Sequence, residues 1–164
     1  MYEPEVHGKI EAKGFDLGLS INCGQVFGWE SSEGWYYGFI GGKAVRLRQE
    51  GIHVKYQGEA GLSREEILRY LGLDHDLSAI RRSIRVDAFM RGVLGSIRGL
   101  RIFRQEPWYC LASYILSSNN RIKRINATFL RIARSFGKPH TLESRTIYSF
   151  PEASVLSRCH IHGI

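Results

Sequence analysis

The hydrophobic pattern of this chain changes from a period of two to a period of 3.6 at Ser63, and no other feature restricts its fold as strongly. Upstream, three short segments carry strand signals at residues 35–40, 45–48 and 52–57, separated by glycine-containing turns. In the second and third segments apolar and polar residues alternate, as in strands with one buried and one wet face. The sequence therefore predicts an antiparallel meander in its first part.

Downstream of Ser63 the pattern is helical. Ser63 and Glu66 form an S-x-x-E capping box at the start of the first helix. Two short helices are predicted next, with core positions at Leu77, Ile80 and Ile84 in one and at Phe89, Val93, Leu94 and Ile97 in the other. Gly99 is expected to close the second helix as a left-handed cap. After a break at residues 137–139, a last helix is predicted to begin near Pro151 and run toward Arg158.

Two apolar helices flank a polar corner in the middle of this helical part. The first begins at Pro107, whose missing N–H costs nothing in a first turn. Its predicted buried face consists of Trp108, Leu111, Ala112, Ile115 and Leu116, and that of the second helix of Ile122, Ile125, Phe129, Ile132 and Phe136. The corner is Ser117-Ser118-Asn119-Asn120-Arg121-Ile122-Lys123-Arg124. Its amides and positive charges are suited to contact with a nucleic acid.

The charge distribution supports that interpretation. The net charge is +7, but residues 1–60 carry six Lys and Arg against eight Asp and Glu, whereas residues 61–164 carry 17 against eight. All basic residues of the second part except Lys123 and Lys138 are arginines, which suit planar recognition of phosphates and base edges. An ordinary solvated basic surface is the alternative.

Several classes of protein are disfavoured. No apolar run approaches the ~18 residues of a membrane span, and an N-terminus with Glu3, Glu5 and His7 is no signal peptide, so a cytoplasmic protein of prokaryotic type is expected. The three cysteines are expected to be reduced and packed as small hydrophobes. Cys159-His160-Ile161-His162 is too compact for a tetrahedral metal site. With no P-loop or dinucleotide motif either, we expect neither a metal nor a cofactor.

Two motifs carry a resemblance to a known family. Gly24-Gln25-Val26-Phe27-Gly28-Trp29 resembles a G-Q-x-F-x-W element, and residues 104–107 with 117–125 resemble an R-Q-[DE]-P…S-S-N-N-x-I-x-R-I element, both found in the 8-oxoguanine DNA glycosylases. The likeness runs in order from about Phe15 to the last residue. It implies an α+β fold. Residues 1–86 would be the N-terminal antiparallel β-sheet domain with helices, and residues 87–164 an incomplete all-α helix-hairpin-helix glycosylase domain.

The resemblance also implies roles for three residues. Asn119 would enter the duplex where the damaged nucleotide has flipped out, and Arg124 would read the orphaned cytosine. The backbone carbonyl of Gly24 would accept from N7–H of 8-oxoguanine, an atom that is an acceptor in guanine. Asn120, Arg121 and Lys123 would supply supporting DNA contacts. The plainer alternatives are a turn glycine, a helix-capping asparagine and an ordinary exposed arginine. Gly28 departs from the pattern, because many relatives have arginine there.

No catalytic residue is predicted within the 164 residues. Family members use a lysine nucleophile and a nearby aspartate in the hairpin, and both match positions beyond residue 164, as do a tyrosine-arginine pair and an aromatic residue that stacks on the flipped base. The chain is therefore expected to be inactive alone as a glycosylase and AP lyase. Lys123 and Lys138 do not match the catalytic position.

Three functions remain open from the sequence. The first is that the chain is the N-terminal portion of a base-excision-repair glycosylase/lyase, and the apolar ending around Ile161 and Ile164 favours it. Alternatively it is a complete, non-enzymatic damaged-DNA-binding module or the partner of a separate catalytic chain. A generic basic DNA-binding protein is the third. The expected partner is double-stranded DNA with an oxidised guanine opposite cytosine, bound by a monomer away from any membrane.

Overall fold

A computed structural model describes residues 5–84 and 87–159. The first part contains five strands and two helices: β1 Val6–Glu11, α1 Leu17–Asn22, β2 Glu30–Ser32, β3 Trp35–Ile40, β4 Lys43–Glu50, β5 His53–Gly58 and α2 Arg64–Tyr70. The remaining described residues form α3 Leu77–Ile84, α4 Ala88–Ser96, α5 Pro107–Ser117, α6 Ile122–Phe136, β6 Pro139–Leu142, β7 Arg145–Tyr148 and α7 Ala153–Leu156. The α+β class predicted from the sequence is confirmed. None of the described helices is long and apolar enough to cross a membrane.

The first five strands form one antiparallel sheet in the order β1-β5-β4-β3-β2. The predicted meander corresponds to β3, β4 and β5, and the structure adds a strand at each edge. Ile52 was expected to begin the third strand, but it lies in the turn before β5 and is exposed. The alternating apolar residues Ile10, Val45, Leu47 and Val54 are fully buried against α1 and α2.

The capping box of α2 is present as predicted. The Ser63 hydroxyl accepts from the Glu66 N–H at 3.1 Å, and the Glu66 carboxylate accepts from the Ser63 N–H at 2.7 Å. Lys43 adds an ion pair to the same carboxylate at 3.0 Å. The hydrogen bond from the Ser63 backbone, followed by the contact with Lys43, holds the pKa of Glu66 below its ordinary value.

The two short helices α3 and α4 form where the sequence predicted them, but most of their expected core positions are not buried. Ile80 and Ile84 are exposed, Phe89 is 77% exposed, and Leu94 is the buried member of the set. Gly99 adopts the predicted left-handed conformation with φ +87°. Its carbonyl accepts from the Asp16 N–H at 2.9 Å and so ties the end of this region to the start of α1.

The helices α5 and α6 pack around an aromatic cluster. The rings of Phe129 and Phe150 stack at 4.0 Å, and Trp108 donates its indole N–H to the Pro151 carbonyl at 2.8 Å. Helix α5 buries fewer of its apolar residues than the sequence predicted. Trp108, Ala112 and Leu116 face this cluster. Leu111 and Ile115, predicted as core, are 52% and 59% exposed, and Ile122 and Phe136 on α6 are also exposed.

A hairpin replaces the uniformly helical structure predicted for the second part. Strands β6 and β7 pair antiparallel, and Leu142 and Ile147 are buried against Tyr37 and Ala44 of the large sheet. His140 Nδ1 lies 2.6 Å from a Glu59 carboxylate oxygen. The described residues after position 87 therefore include two strands and are not all-α. The hairpin forms a second hydrophobic core with the large sheet. The boundary at residues 86 and 87 stays a prediction.

The cysteine prediction was partly wrong. All three cysteines are free thiols, but Cys23 and Cys110 are exposed rather than packed as core residues. Cys159 is half-buried, whereas His160, Ile161, His162 and Ile164 lie outside the described residues. The expectations about metal binding and about the apolar ending therefore stay predictions.

Candidate nucleic-acid interface

The corner between α5 and α6 is held by Asn120 and presents Asn119. The Asn120 amide donates to the Leu116 carbonyl at 3.2 Å and accepts from the Arg121 N–H at 2.9 Å. Asn119 is exposed at the tip in a left-handed conformation with φ +51°. Its side chain makes no hydrogen bond within residues 5–84 and 87–159. Asn119 does not cap α6, because the N-cap is Arg121 and no side chain caps the helix.

Three cations surround the first turn of α6. Arg121, Lys123 and Arg124 are exposed and form no side-chain hydrogen bond or ion pair with the described part of the chain, and no acidic residue lies in that turn. Cations at a helix N-terminus oppose the helix dipole, whereas an anion placed there is stabilised by it. The positive charge of this turn therefore favours the binding of an anion.

The segment from Gly24 to Gly28, which we call the glycine loop, lies directly against α6. Gly24 has φ +90°, and a Cβ on it would lie 2.8 Å from Ile122 Cδ1. Gly28 has φ +83°, and a Cβ there would lie 2.8 Å from the Phe129 ring. Both positions favour glycine for its left-handed conformation, and at Gly28 the Phe129 ring also leaves no room for a Cβ. The contact with Ile122 places Gly24 next to the helical turn that carries Lys123 and Arg124.

Two glutamines anchor the other side of the glycine loop. The Gln25 amide donates to the carbonyls of Ser20 at 2.8 Å and Arg101 at 2.7 Å, and it accepts from the Phe103 N–H at 2.9 Å. Gln105 donates to the Gln25 carbonyl at 2.7 Å. The sequence reasoning gave neither glutamine a role, although both lie within the two quoted motifs. No sequence signal shows this role, because the three backbone partners of the Gln25 amide are visible only in the structure.

Arg104, the first residue of the second motif, has a structural role. Arg104 contacts the Asp74 carboxylate at 2.7 and 2.9 Å and donates to the Arg69 carbonyl at 3.1 Å. The hydrogen bond from Arg104 holds the pKa of Asp74 below its ordinary value. Burial raises the pKa of Tyr70, which accepts from the Trp29 indole N–H at 3.1 Å. These contacts join the end of α2 to the segment that carries Gln105.

A cavity of about 420 Å³ opens beside the glycine loop. This volume is within the range of small-ligand sites. Gly24 is a half-buried residue of the lining, and its carbonyl receives no hydrogen bond from the described residues. The lining combines apolar walls with a lysine at one edge, and it consists of Ile21, Asn22, Gly24, Val26, Phe27, Trp29, Ile122, Lys123 and Asn126. The site thus combines a largely apolar recess with a glycine whose carbonyl has no partner among the described residues.

The lysines of this chain are partly or fully exposed. All six lysines of the sequence lie within the described residues, and none is buried. Lys138 is exposed and lies 3.8 Å from Glu152, while Lys123 is exposed at the edge of the cavity. A lysine that forms Schiff bases is activated by desolvation or by a neighbouring cation in an apolar pocket.

Comparison with known proteins identifies the family. The family model described as "8-oxoguanine DNA glycosylase, N-terminal domain" matches residues 9–111, and the chain belongs to this family. It is 30% identical to the N-glycosylase/DNA lyase of Saccharomyces cerevisiae over 101 residues, which are 61% of this chain and 27% of that protein. It is 27% identical to N-glycosylase/DNA lyase OGG1 of Arabidopsis thaliana over 150 residues, 87% of this chain and 41% of that protein. The chain thus spans less than half the length of these two relatives.

A solved structure extends the likeness to nearly the whole chain. It is the Clostridium acetobutylicum 8-oxoguanine glycosylase/lyase in complex with dsDNA containing cytosine opposite 8-oxoG. The TM-score is 0.80 at 28% identity, covering 93% of this chain and 57% of that one. The sequence-based assignment to the family is confirmed. The roles of Gly24, Asn119 and Arg124 stay predictions, and the structure brings these residues into one region.

Proposed function

We propose that this chain takes part in base-excision repair by recognising 8-oxoguanine opposite cytosine in duplex DNA. The observation that carries the proposal is the contact between Gly24 and Ile122. It joins the residue that would read the lesion to the helical turn that would contact DNA. Family membership and the named DNA complex of the Clostridium relative support the same function.

Gly24 supplies the discrimination between damaged and normal base. In 8-oxoguanine N7 carries a hydrogen, whereas in guanine N7 is an acceptor. Gly24 lines the cavity and no described residue donates to its carbonyl, so we expect that carbonyl to accept from a donor on a base. Opposing two buried acceptors costs about 1–3 kcal/mol, which favours the oxidised base by roughly that amount.

Asn119 and Arg124 act inside the duplex, at the position that the flipped base has left. Flipping a nucleotide costs a few kcal/mol, and an exposed amide at the tip of the corner can hydrogen-bond in the space that remains. Arg124 has only donors, while cytosine presents the acceptors O2 and N3 together. The N1–H and N2–H₂ donors of a guanine would repel Arg124. The pair therefore favours a lesion opposite cytosine.

Nonspecific attraction comes from the basic first turn of α6. Arg121, Lys123 and Arg124 have no ion-pair partner among the described residues, so they are free to neutralise phosphates. Affinity should then fall steeply with added salt as counterions are released. The predicted supporting contact of Asn120 with DNA would compete with the two bonds that its amide already makes to the backbone.

Competition binding tests the proposal, with duplexes carrying 8-oxoguanine or guanine opposite cytosine. The wild-type chain should prefer the lesion, and Arg124→Ala should weaken binding to the lesion duplex by about tenfold and relax the choice of opposite base. Arg131→Ala removes another exposed arginine of α6 and is the matched control, with a small and uniform effect. Equal binding of both duplexes, together with no effect of Arg124→Ala, would refute the proposal.

Glycosylase and AP-lyase chemistry is proposed to require residues other than these 164. Six lysines without burial favour recognition over Schiff-base formation by this chain. Either a continuation of the same chain or a separate catalytic chain then supplies the nucleophile. The nucleotide sequence after codon 164 distinguishes the two. An open frame encoding a tyrosine-arginine pair and a lysine-bearing helix-hairpin-helix supports a glycosylase/lyase, and a stop codon supports a binding module.

A further inference from the structure

The glycine loop has no regular secondary structure, so its shape depends on side-chain contacts. It follows α1 and precedes β2, and neither strand pairing nor helical hydrogen bonds extend through it. Gln25 and Gln105 attach its beginning to the segment from Arg101 to Gln105. That attachment leaves the end of the loop to be placed by something else.

One face of α6 places that end. Ile122, Asn126 and Phe129 follow one another at i, i+4 and i+7, which puts them on the same side of the helix. The side chains of Ile122 and Phe129 occupy the space where a Cβ of Gly24 and of Gly28 would lie. Between them, Asn126 Oδ1 accepts from the Gly28 N–H at 2.9 Å. Within the described residues this is the one hydrogen bond between the glycine loop and α6.

We propose that Asn126 is a positioning residue that holds the glycine loop in register with α6. The inference rests on the proposed function, because the register matters through the Gly24 carbonyl. The two glycines permit many backbone conformations, and apolar contacts alone allow the loop to slide along the helix. A directional hydrogen bond to Gly28 selects one position. Asn126 also lines the cavity next to Gly24, so removing its side chain would change the site where the base is proposed to bind.

Three substitutions separate positioning from simple loss of packing. Asn126→Ala removes the acceptor. Asn126→Asp keeps an acceptor oxygen in the same place, and its charge should lower affinity for both duplexes alike. Thr128→Ala truncates a half-buried side chain two residues further along α6 that makes no side-chain hydrogen bond in the described structure, so it is the matched control.

Two measurements on the 164-residue chain test the proposal. Hydrogen exchange of the Gly28 amide, measured without DNA, should speed up at least about tenfold in Asn126→Ala and stay slow in Asn126→Asp and Thr128→Ala. The ratio of affinities for 8-oxoguanine and guanine duplexes opposite cytosine should fall at least about fivefold in Asn126→Ala alone.

The outcomes distinguish this inference from the proposed function. Unchanged Gly28 exchange in Asn126→Ala overturns the positioning role, whatever the DNA result. Faster exchange with an unchanged affinity ratio also overturns it, because the loop register would not matter for reading the base. A wild-type chain that binds both duplexes equally refutes the proposed function, and the exchange data still decide whether Asn126 places the loop.

Discussion

At the scale of single residues, three positions of the candidate interface have left-handed backbone. Gly24 and Gly28 have φ of +90° and +83°, and Asn119 has φ +51°. Asparagine tolerates this region better than most residues, but it still carries a cost that glycine does not. The structure gives a physical reason for glycine at position 28. The Phe129 ring occupies the space that a Cβ would need.

We predict that Gly28→Ala destabilises the protein more than Gly42→Ala. Gly42 has a similar φ of +76° but nothing within 4 Å of its would-be Cβ, so it reports the backbone strain alone, about 1 kcal/mol. Gly28→Ala should lose about 1 kcal/mol more because the Phe129 ring must shift. Urea denaturation of both variants measures the difference. Equal losses would mean that Phe129 yields without cost.

At the scale of elements, the sequence correctly predicted the structures whose interacting residues are close in the chain. The capping box of α2 needs residues three positions apart, and the meander needs strands joined by short turns. The hairpin of β6 and β7 was missed because each strand has four residues, too few for a periodic pattern. Its apolar residues are buried by Tyr37 and Ala44, about a hundred positions away.

The capping box of α2 predicts a pH dependence of stability. The pKa of Glu66 is lowered from 4.5 in the folded protein, so its stabilising effect is full above that value and is lost as pH falls through the folded pKa. Glu66→Gln keeps the capping geometry without the titration. Its stability should therefore fall less than that of wild type between about pH 5 and pH 3.

The control for this experiment is Glu65→Gln, an exposed carboxylate in the same helical turn. Its urea midpoint should follow the wild-type pH profile. If Glu66→Gln also follows that profile, the capping carboxylate does not contribute to the acid sensitivity.

The hairpin predicts a large effect of a single truncation. Leu142 is fully buried between the hairpin and the sheet, so Leu142→Ala should cost about 2–5 kcal/mol through lost burial and the cavity left behind. Leu111→Ala removes the same atoms from an exposed position and should cost well under half as much. Denaturation midpoints compare the two. Similar costs would show that the hairpin does not pack on the sheet in solution.

At the scale of the whole molecule, we propose that DNA recognition and DNA cleavage depend on different parts of the protein. The second part carries the excess positive charge, and the basic turn of α6 has no ion-pair partner in the described chain. No lysine is buried, and Lys123 and Lys138 are exposed, whereas lysines that form Schiff bases commonly lie in apolar pockets.

Borohydride trapping on 8-oxoguanine DNA should therefore give no covalent complex with the 164-residue chain. The Clostridium acetobutylicum 8-oxoguanine glycosylase/lyase is the positive control for the DNA and the reagent. A trapped complex would contradict the prediction, and Lys123→Ala and Lys138→Ala would then identify the nucleophile.

The sequence by itself determined the α+β class, the capping box, the corner between two helices and the family. Each depends on periodicity or on motifs of neighbouring residues, which local physics makes visible. Only the tertiary structure decided which face of α5 is buried, where the hairpin packs and why Gly28 is a glycine. It also brought Gly24 and Gly28 onto the face of α6 formed by Ile122, Asn126 and Phe129. Those contacts join positions about a hundred residues apart, and no local pattern encodes such pairings.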